Sequence, residues 1–242
     1  MKKGLNFQAK GENREALVEF EKTMKRLPGG ESSLKAARES IKILIYELKN
    51  YNRSIEILKY LILYSNDPDE RWKSQIQIAQ IYFDNLAWYD RAIIEYSKLL
   101  SSELSKDEKV RIRLAIARSY YYLGKFTQSW SEASEIIVEQ NISKEQIFDI
   151  LLLQANINLA LKKFSEAAKI LERLNAQFPE RSKKENIGIN LALCYESNGD
   201  HVNALRIFEY LIKFYEPKEY IELRIKKIKH HFLNQPKKRL KK

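Results

Sequence analysis

One cysteine, Cys194, and three histidines, His201, His230 and His231, are few in a chain of 242 residues. A lone thiol excludes an internal disulfide and a multi-cysteine metal site, so Cys194 reads as a small apolar core residue. The histidines stand in no zinc-finger or metalloprotease spacing. His201 reads as a packed side chain, and His230 and His231 as solvent-facing ones. Five prolines and seven glycines leave the chain poor in turn formers. With Lys, Glu, Leu, Ile and Ala plentiful, that shortage predicts an all-helical chain. The glycine pair Gly29-Gly30 follows Pro28 without a Lys-Ser or Lys-Thr behind it, so it is a loop and not a phosphate cradle. No apolar run is long enough to span a bilayer. No apolar stretch follows the basic start Met1-Lys2-Lys3, so no secretory signal is visible. The expectation is a protein with no catalytic residue, no metal and no cofactor.

The net charge of +11 is unevenly placed. Residues 221–242 hold nine cations against one acid, a net +8, which leaves +3 for the other 220 residues. A near-neutral body with a basic end confines any nucleic-acid or anionic-lipid contact to that end. Elsewhere Asp and Glu alternate with Lys and Arg as on solvated helix faces.

What is present is a repeat. An aromatic or polar residue, two polar ones, a small one and then usually an apolar one recur as Asn13-Arg14-Glu15-Ala16-Leu17, Tyr51-Asn52-Arg53-Ser54-Ile55, Tyr89-Asp90-Arg91-Ala92-Ile93, Phe126-Thr127-Gln128-Ser129-Trp130, Phe164-Ser165-Glu166-Ala167-Ala168 and His201-Val202-Asn203-Ala204-Leu205. The small residues at 16, 54, 92, 129, 167 and 204 are spaced 38, 38, 37, 38 and 37 apart. Four residues on stand Phe20, Leu58, Tyr96, Ala133, Leu171 and Phe208, on the same face of a helix that starts near the small residue. An earlier helix in each unit carries Phe7, Ile45, Phe83, Tyr120, Asn158 and Tyr195. Between the two helices, at the turn, lie Gly11, Lys49, Ala87, Gly124, Lys162 and Gly199. A glycine there ends a helix in the left-handed conformation. Each helix pair has an apolar face that it cannot bury alone, and stacking the pairs makes one core.

These residues resemble tetratricopeptide repeats. The clearest copies are Leu114-Ala115-Ile116-Ala117-Arg118-Ser119-Tyr120-Tyr121-Tyr122-Leu123-Gly124-Lys125-Phe126 and the run from Leu191 through Gly199 to Ala204. The resemblance implies a right-handed α-α superhelix: about six helix-turn-helix repeats over 1–216, at about 1–28, 31–66, 69–102, 105–141, 143–179 and 183–216. An amphipathic capping helix over 217–233, with Ile221, Ile225, Ile228 and Phe232 as its stripe, and a basic tail over 234–242 would follow. Lys42, Gln80 and Asn158 depart from the family pattern, which leaves the helix register of the second, third and fifth copies open. Units of 37–38 residues are similar to those of bacterial cell-envelope tetratricopeptide proteins. The compartment stays open: cytoplasm if the chain is complete, cell envelope if a signal precedes Met1.

The family binds peptides or helices in a groove lined by the first helix of each pair. By that resemblance the groove includes Arg111, Arg118, Tyr121 and Tyr122. Arginine grips carboxylates through paired hydrogen bonds, and tyrosine offers flat contact area. Gln154 and Asn158, one turn apart, would pair with a peptide backbone. The Lys, Asn and Arg set with which some members clamp a chaperone's C-terminal carboxylate is missing. The function expected is a non-catalytic adaptor for a partner protein. The alternative is contact with nucleic-acid phosphates or anionic lipid through Lys237, Lys238, Arg239, Lys241 and Lys242.

Overall fold

A computed structural model describes residues 1–101, 103–138 and 142–233. Among them every regular element is helical, and the helices pair in chain order. α1 (Lys2–Ala9) pairs with α2 (Asn13–Arg26), and α3 (Glu31–Lys42) with α4 (Tyr51–Tyr64). α5 (Pro68–Gln80) pairs with α6 (Tyr89–Leu99), and α7 (Lys106–Tyr122) with α8 (Phe126–Ile137). α9 (Lys144–Ala160) pairs with α10 (Phe164–Gln177). A short α11 (Pro179–Lys184) precedes the pair α12 (Ile187–Ser197) and α13 (His201–Leu211), and α14 (Lys218–Leu233) comes last.

The chain forms two compact units, Met1–Glu132 and Ala133–Lys242. In the first, α2 packs on α3, α4 on α5 and α6 on α7, so successive pairs stack as the repeat demands. In the second, α10 packs on α12 and α13 on α14. All six small repeat residues, Ala16, Ser54, Ala92, Ser129, Ala167 and Ala204, are fully buried. Phe20, Leu58, Leu171 and Phe208, four residues further on, fill the space beside them. Burial of each such side chain contributes about 1.5–3 kcal/mol. On α14, Ile221 and Ile228 are buried against Ala192, Ala204 and Phe208. The side chain of Phe232 lies outside the described residues.

The six turn residues share one conformation. Gly11, Lys49, Ala87, Gly124, Lys162 and Gly199 all have φ between 49° and 80°. Only glycine takes that region without a Cβ penalty, so Lys49, Ala87 and Lys162 are held there by the repeat geometry around them. Replacing any of the three by glycine should raise stability by about 0.5–1 kcal/mol, the relief of the Cβ clash less glycine's entropy. Gly124→Ala should shift the urea midpoint the opposite way. Midpoints from urea titrations followed by helical circular dichroism decide both signs.

The open register has a physical explanation. In copies four to six the buried pair ahead of the turn is Ile116 with Ala117, Gln154 with Ala155, and Leu191 with Ala192. These stand 13 and 12 residues before the small residue. In copies two and three the pair is Ser40 with Ile41 and Ile78 with Ala79, one residue further away. The extra residue is taken up by π-helical turns, Ile43–Glu47 and Ile81–Asn85. A π turn closes on the fifth residue instead of the fourth and so absorbs one insertion. The turn hydrogen bonds record the same shift. Lys125 N–H donates to the carbonyl five residues back, Tyr120 (2.9 Å), as Lys163 does to Asn158 (2.8 Å) and Asp200 to Tyr195 (2.9 Å). Asn50 and Trp88 donate six residues back, to Leu44 and Tyr82 (2.8 Å each). Copy five has no such turn, and α9 runs through in the ordinary register.

Candidate functional site

The start of α7 is fixed by a capping box. Ser105 Oγ accepts from Glu108 N–H (3.3 Å), and the Glu108 carboxylate accepts from Ser105 N–H (3.0 Å). From that start, Val110, Ile112, Ile116, Ala117 and Ser119 are buried. Arg111, Arg118 and Tyr122 recur at i, i+7 and i+11. Arg111 is exposed and forms an ion pair with Asp107 one turn earlier. Such a pair contributes only about 0.3–0.5 kcal/mol and is readily exchanged for a ligand carboxylate. Arg118 is half-buried and close enough to Tyr96 to act on it electrostatically. Burial, and then the Asp84 carboxylate, push the Tyr96 hydroxyl up to about 12, and Arg118 opposes them. Partial desolvation raises the pKa of Asp84 itself.

Beside Arg118 the turns of two successive repeats bring aromatic rings together. Tyr122 stacks on Tyr89 with centroids 5.0 Å apart and planes 16° from parallel. Phe83 meets both edge-on, at 5.3 Å from Tyr89 and 5.5 Å from Tyr122. Tyr121 joins edge-on at 5.4 Å from Tyr122 and reaches Phe126 at 5.7 Å. Next along, Trp88 stacks on Tyr82 under the Arg91 guanidinium, which lies 4.5 Å from the Trp88 ring. Pairs of this geometry contribute about 0.5–1.5 kcal/mol beyond burial. Tyr122 keeps 56% of its surface exposed despite these contacts. Exposed, rigid aromatics next to arginine are the composition of binding hot spots. Arg118, Tyr121 and Tyr122, expected from the sequence, are therefore joined by Phe83, Tyr89 and Phe126, which were not. Tyr89 and Phe126 were visible as the aromatic residue that opens the second helix. Phe83 lies within the π turn Ile81–Asn85, and Tyr89 meets Tyr122 while Phe126 meets Tyr121.

Residues 149–181 match the family profile described as tetratricopeptide repeat. No curated protein matches in sequence. Three crystal structures share the fold over most of the chain. A tetratricopeptide repeat protein from Parabacteroides merdae ATCC 43184 is 16% identical with a TM-score of 0.59, covering 96% of this chain and 85% of that one. PilW, a widely conserved type IV pilus biogenesis factor, is 11% identical with a TM-score of 0.60, over 90% of this chain and 94% of its own. YrrB, a protein of the same repeat type with an unusual peptide-binding site, is 13% identical with a TM-score of 0.53, over 86% and 97%. The chain folds as a tetratricopeptide repeat protein.

Two of the expected contacts are not on an open face of this tetratricopeptide fold. Gln154 and Asn158 are buried. The Gln154 amide donates to Ser134 Oγ (3.2 Å), and the Asn158 carbonyl accepts from the Lys163 N–H that closes the turn. Among the described residues the Asn158 side-chain amide N–H finds no acceptor. α9 is buried around most of its circumference, so a polar side chain at i+4 from another is no sign of exposure there. Cys194 is fully buried, and burial pushes its thiol up to about 11. Lys237, Lys238, Arg239, Lys241 and Lys242 lie outside the described residues. In α14, Arg224 and Lys227 pair with Glu196 (3.3 and 3.4 Å) and Lys229 with Glu209 (2.8 Å).

Proposed function

We propose that this chain is a non-catalytic interaction scaffold that captures a peptide or helical segment of a partner protein on the aromatic surface around Tyr122, with Arg118 meeting a carboxylate of the partner. The observation that carries the reading is the half-exposed Tyr122 ring stacked on Tyr89 and braced by Phe83. A ring already held in one orientation loses little entropy when a ligand covers it. YrrB, which has a peptide-binding site, shares the fold. Catalysis has no part in the reading: the one thiol is buried and protonated, the wrong state for a nucleophile.

The test is photo-crosslinking followed by affinity. A photo-reactive phenylalanine at position 122 should trap a partner, whereas the same group at the exposed Tyr46 should not. For the trapped partner, Tyr122→Ala and Arg118→Glu should each weaken binding at least tenfold, about 1.4 kcal/mol or more. The helical circular dichroism should stay unchanged. Binding by both variants that equals the parent's defeats the proposal.

A further inference from the structure

The second unit carries a surface that shares no residue with the Tyr122 cluster. Between α10 and α12 the chain makes the additional turn of α11, opened by Pro179. A cavity of about 970 Å³ lies between this turn, the start of α12, and α13. On its wall Tyr210 and Phe214 stand edge to face at 5.0 Å, and they are 62% and 40% exposed. Adjacent exposed rings make a contiguous apolar patch, the kind of surface that marks an interaction site.

The polar groups around them point to the chemistry of an occupant. Lys183, Lys184 and Arg206 line the cavity against one acid, Glu180. Among the described residues none of the three cations has a carboxylate within ion-pair distance; Lys183 instead lies over the Phe214 ring, 4.9 Å from its centre. Arg181, on the same short helix, is the contrast. It is paired with Asp149 and Glu185, donates to the Glu145 carbonyl (3.1 Å) and covers the Phe148 ring. The fourth feature is Ser182, which also lines the cavity. It is only 1% exposed, yet among the described residues its hydroxyl has no hydrogen-bond partner. A helical serine ordinarily returns its hydroxyl to the carbonyl four residues back, as Ser40 does to Ala36 and Ser119 to Ala115 (2.8 Å each). A buried hydroxyl without that bond is a group waiting for an acceptor or donor.

We infer that this cavity is a second docking site and that it takes a partner peptide presenting an apolar side chain flanked by carboxylates. The apolar side chain covers Tyr210 and Phe214. The carboxylates meet Lys184 and Arg206 through charge-assisted hydrogen bonds, and a polar group of the peptide satisfies Ser182. The lining is mostly apolar, which favours a peptide over the evenly charged backbone of a nucleic acid.

The experiment is selection from a random dodecapeptide phage library on the full chain, followed by fluorescence anisotropy with labelled synthetic copies of the enriched peptides. The expected result is enrichment of an aromatic or aliphatic residue between Asp or Glu. Affinity should fall at least tenfold in Tyr210→Ala and in the double variant Lys184→Glu with Arg206→Glu, and also as salt is raised. Ser182→Ala should weaken the peptide while leaving the melting temperature unchanged or higher, which separates binding from folding. Tyr122→Ala should leave these peptides bound as before. A selection without acidic apolar peptides, or peptides whose affinity ignores the Tyr210, Lys184 and Arg206 changes, overturns the inference. Peptides that depend on Tyr122 instead overturn it while supporting the first-unit surface.

Discussion

Phe208→Ala is expected to destabilise the second unit by about 3–5 kcal/mol. Phe208 is fully buried on α13, in one apolar cluster with Ala192, Ala204, Ile221 and Ile228. It thus joins α12, α13 and α14, and truncation leaves a cavity that three helices would have to collapse around. In a repeat array each pair is stabilised mainly by its neighbours, so the loss concentrates in the last pair and its cap. The chain holds its own reporter. Cys194 is the one thiol, it lies on α12, and in the native state it is buried and protonated. It therefore reacts with a thiol reagent only when α12 opens. Labelling of Cys194 in Phe208→Ala should accelerate by about two to nearly four orders of magnitude, the tenfold-per-1.36-kcal/mol equivalent of the stability loss. A labelling rate within a few-fold of the parent's would show that Phe208 does not hold these helices together.

The repeat itself was legible because it is set by steric rules that act residue by residue. Ala16, Ser54, Ala92, Ser129, Ala167 and Ala204 must be small where helices approach closely, and all are buried. The turn five residues earlier must be left-handed, which shows in sequence only where glycine occupies it. At Lys49, Ala87 and Lys162 the period, not the residue type, carries the information. The π turns left only an indirect trace: the small or apolar pair stands one residue too far from the turn in copies two and three. Lys42 and Gln80 therefore fall at positions where a buried residue is expected. They mark an insertion absorbed inside the helix and not a loss of the pattern.

The sites were legible in part, for a related reason. A polar residue at helical spacing was read as groove-facing in both Arg118 and Gln154, but helix periodicity identifies a shared face without saying what covers it. α7 leaves that face open, whereas α9 is covered, its Gln154 amide donating to Ser134 and its Asn158 backbone carbonyl accepting from the turn. The aromatic cluster combines Phe83 and Tyr89 from one repeat with Tyr122 from the next, a neighbourhood created by stacking and absent from any single motif. The cavity beside Tyr210 depends on α11, a six-residue helix at the junction of the fifth and sixth copies that the repeat period does not announce.

The small position offers the sharpest test of why the helices approach as they do. Ala167→Leu should cost about 3 kcal/mol, the upper end for overpacking, because Ala167 is fully buried among the likewise buried Phe148, Leu151, Leu171 and Leu191. Ala167→Ser should cost less than about 1 kcal/mol, and the repeat supplies the reason. Ser129 occupies the equivalent place in the preceding copy, and its hydroxyl donates to the carbonyl of Ala117, twelve residues earlier, at 2.7 Å. The corresponding carbonyl for position 167 is that of Ala155, on the same register of α9. A serine there has both the space and the acceptor. Thermal and urea unfolding of the two variants side by side separates volume from polarity. If serine proved as damaging as leucine, the position would be selecting against a buried hydroxyl. The close approach of α9 and α10 through a small side chain would then not explain the repeat's most regular residue.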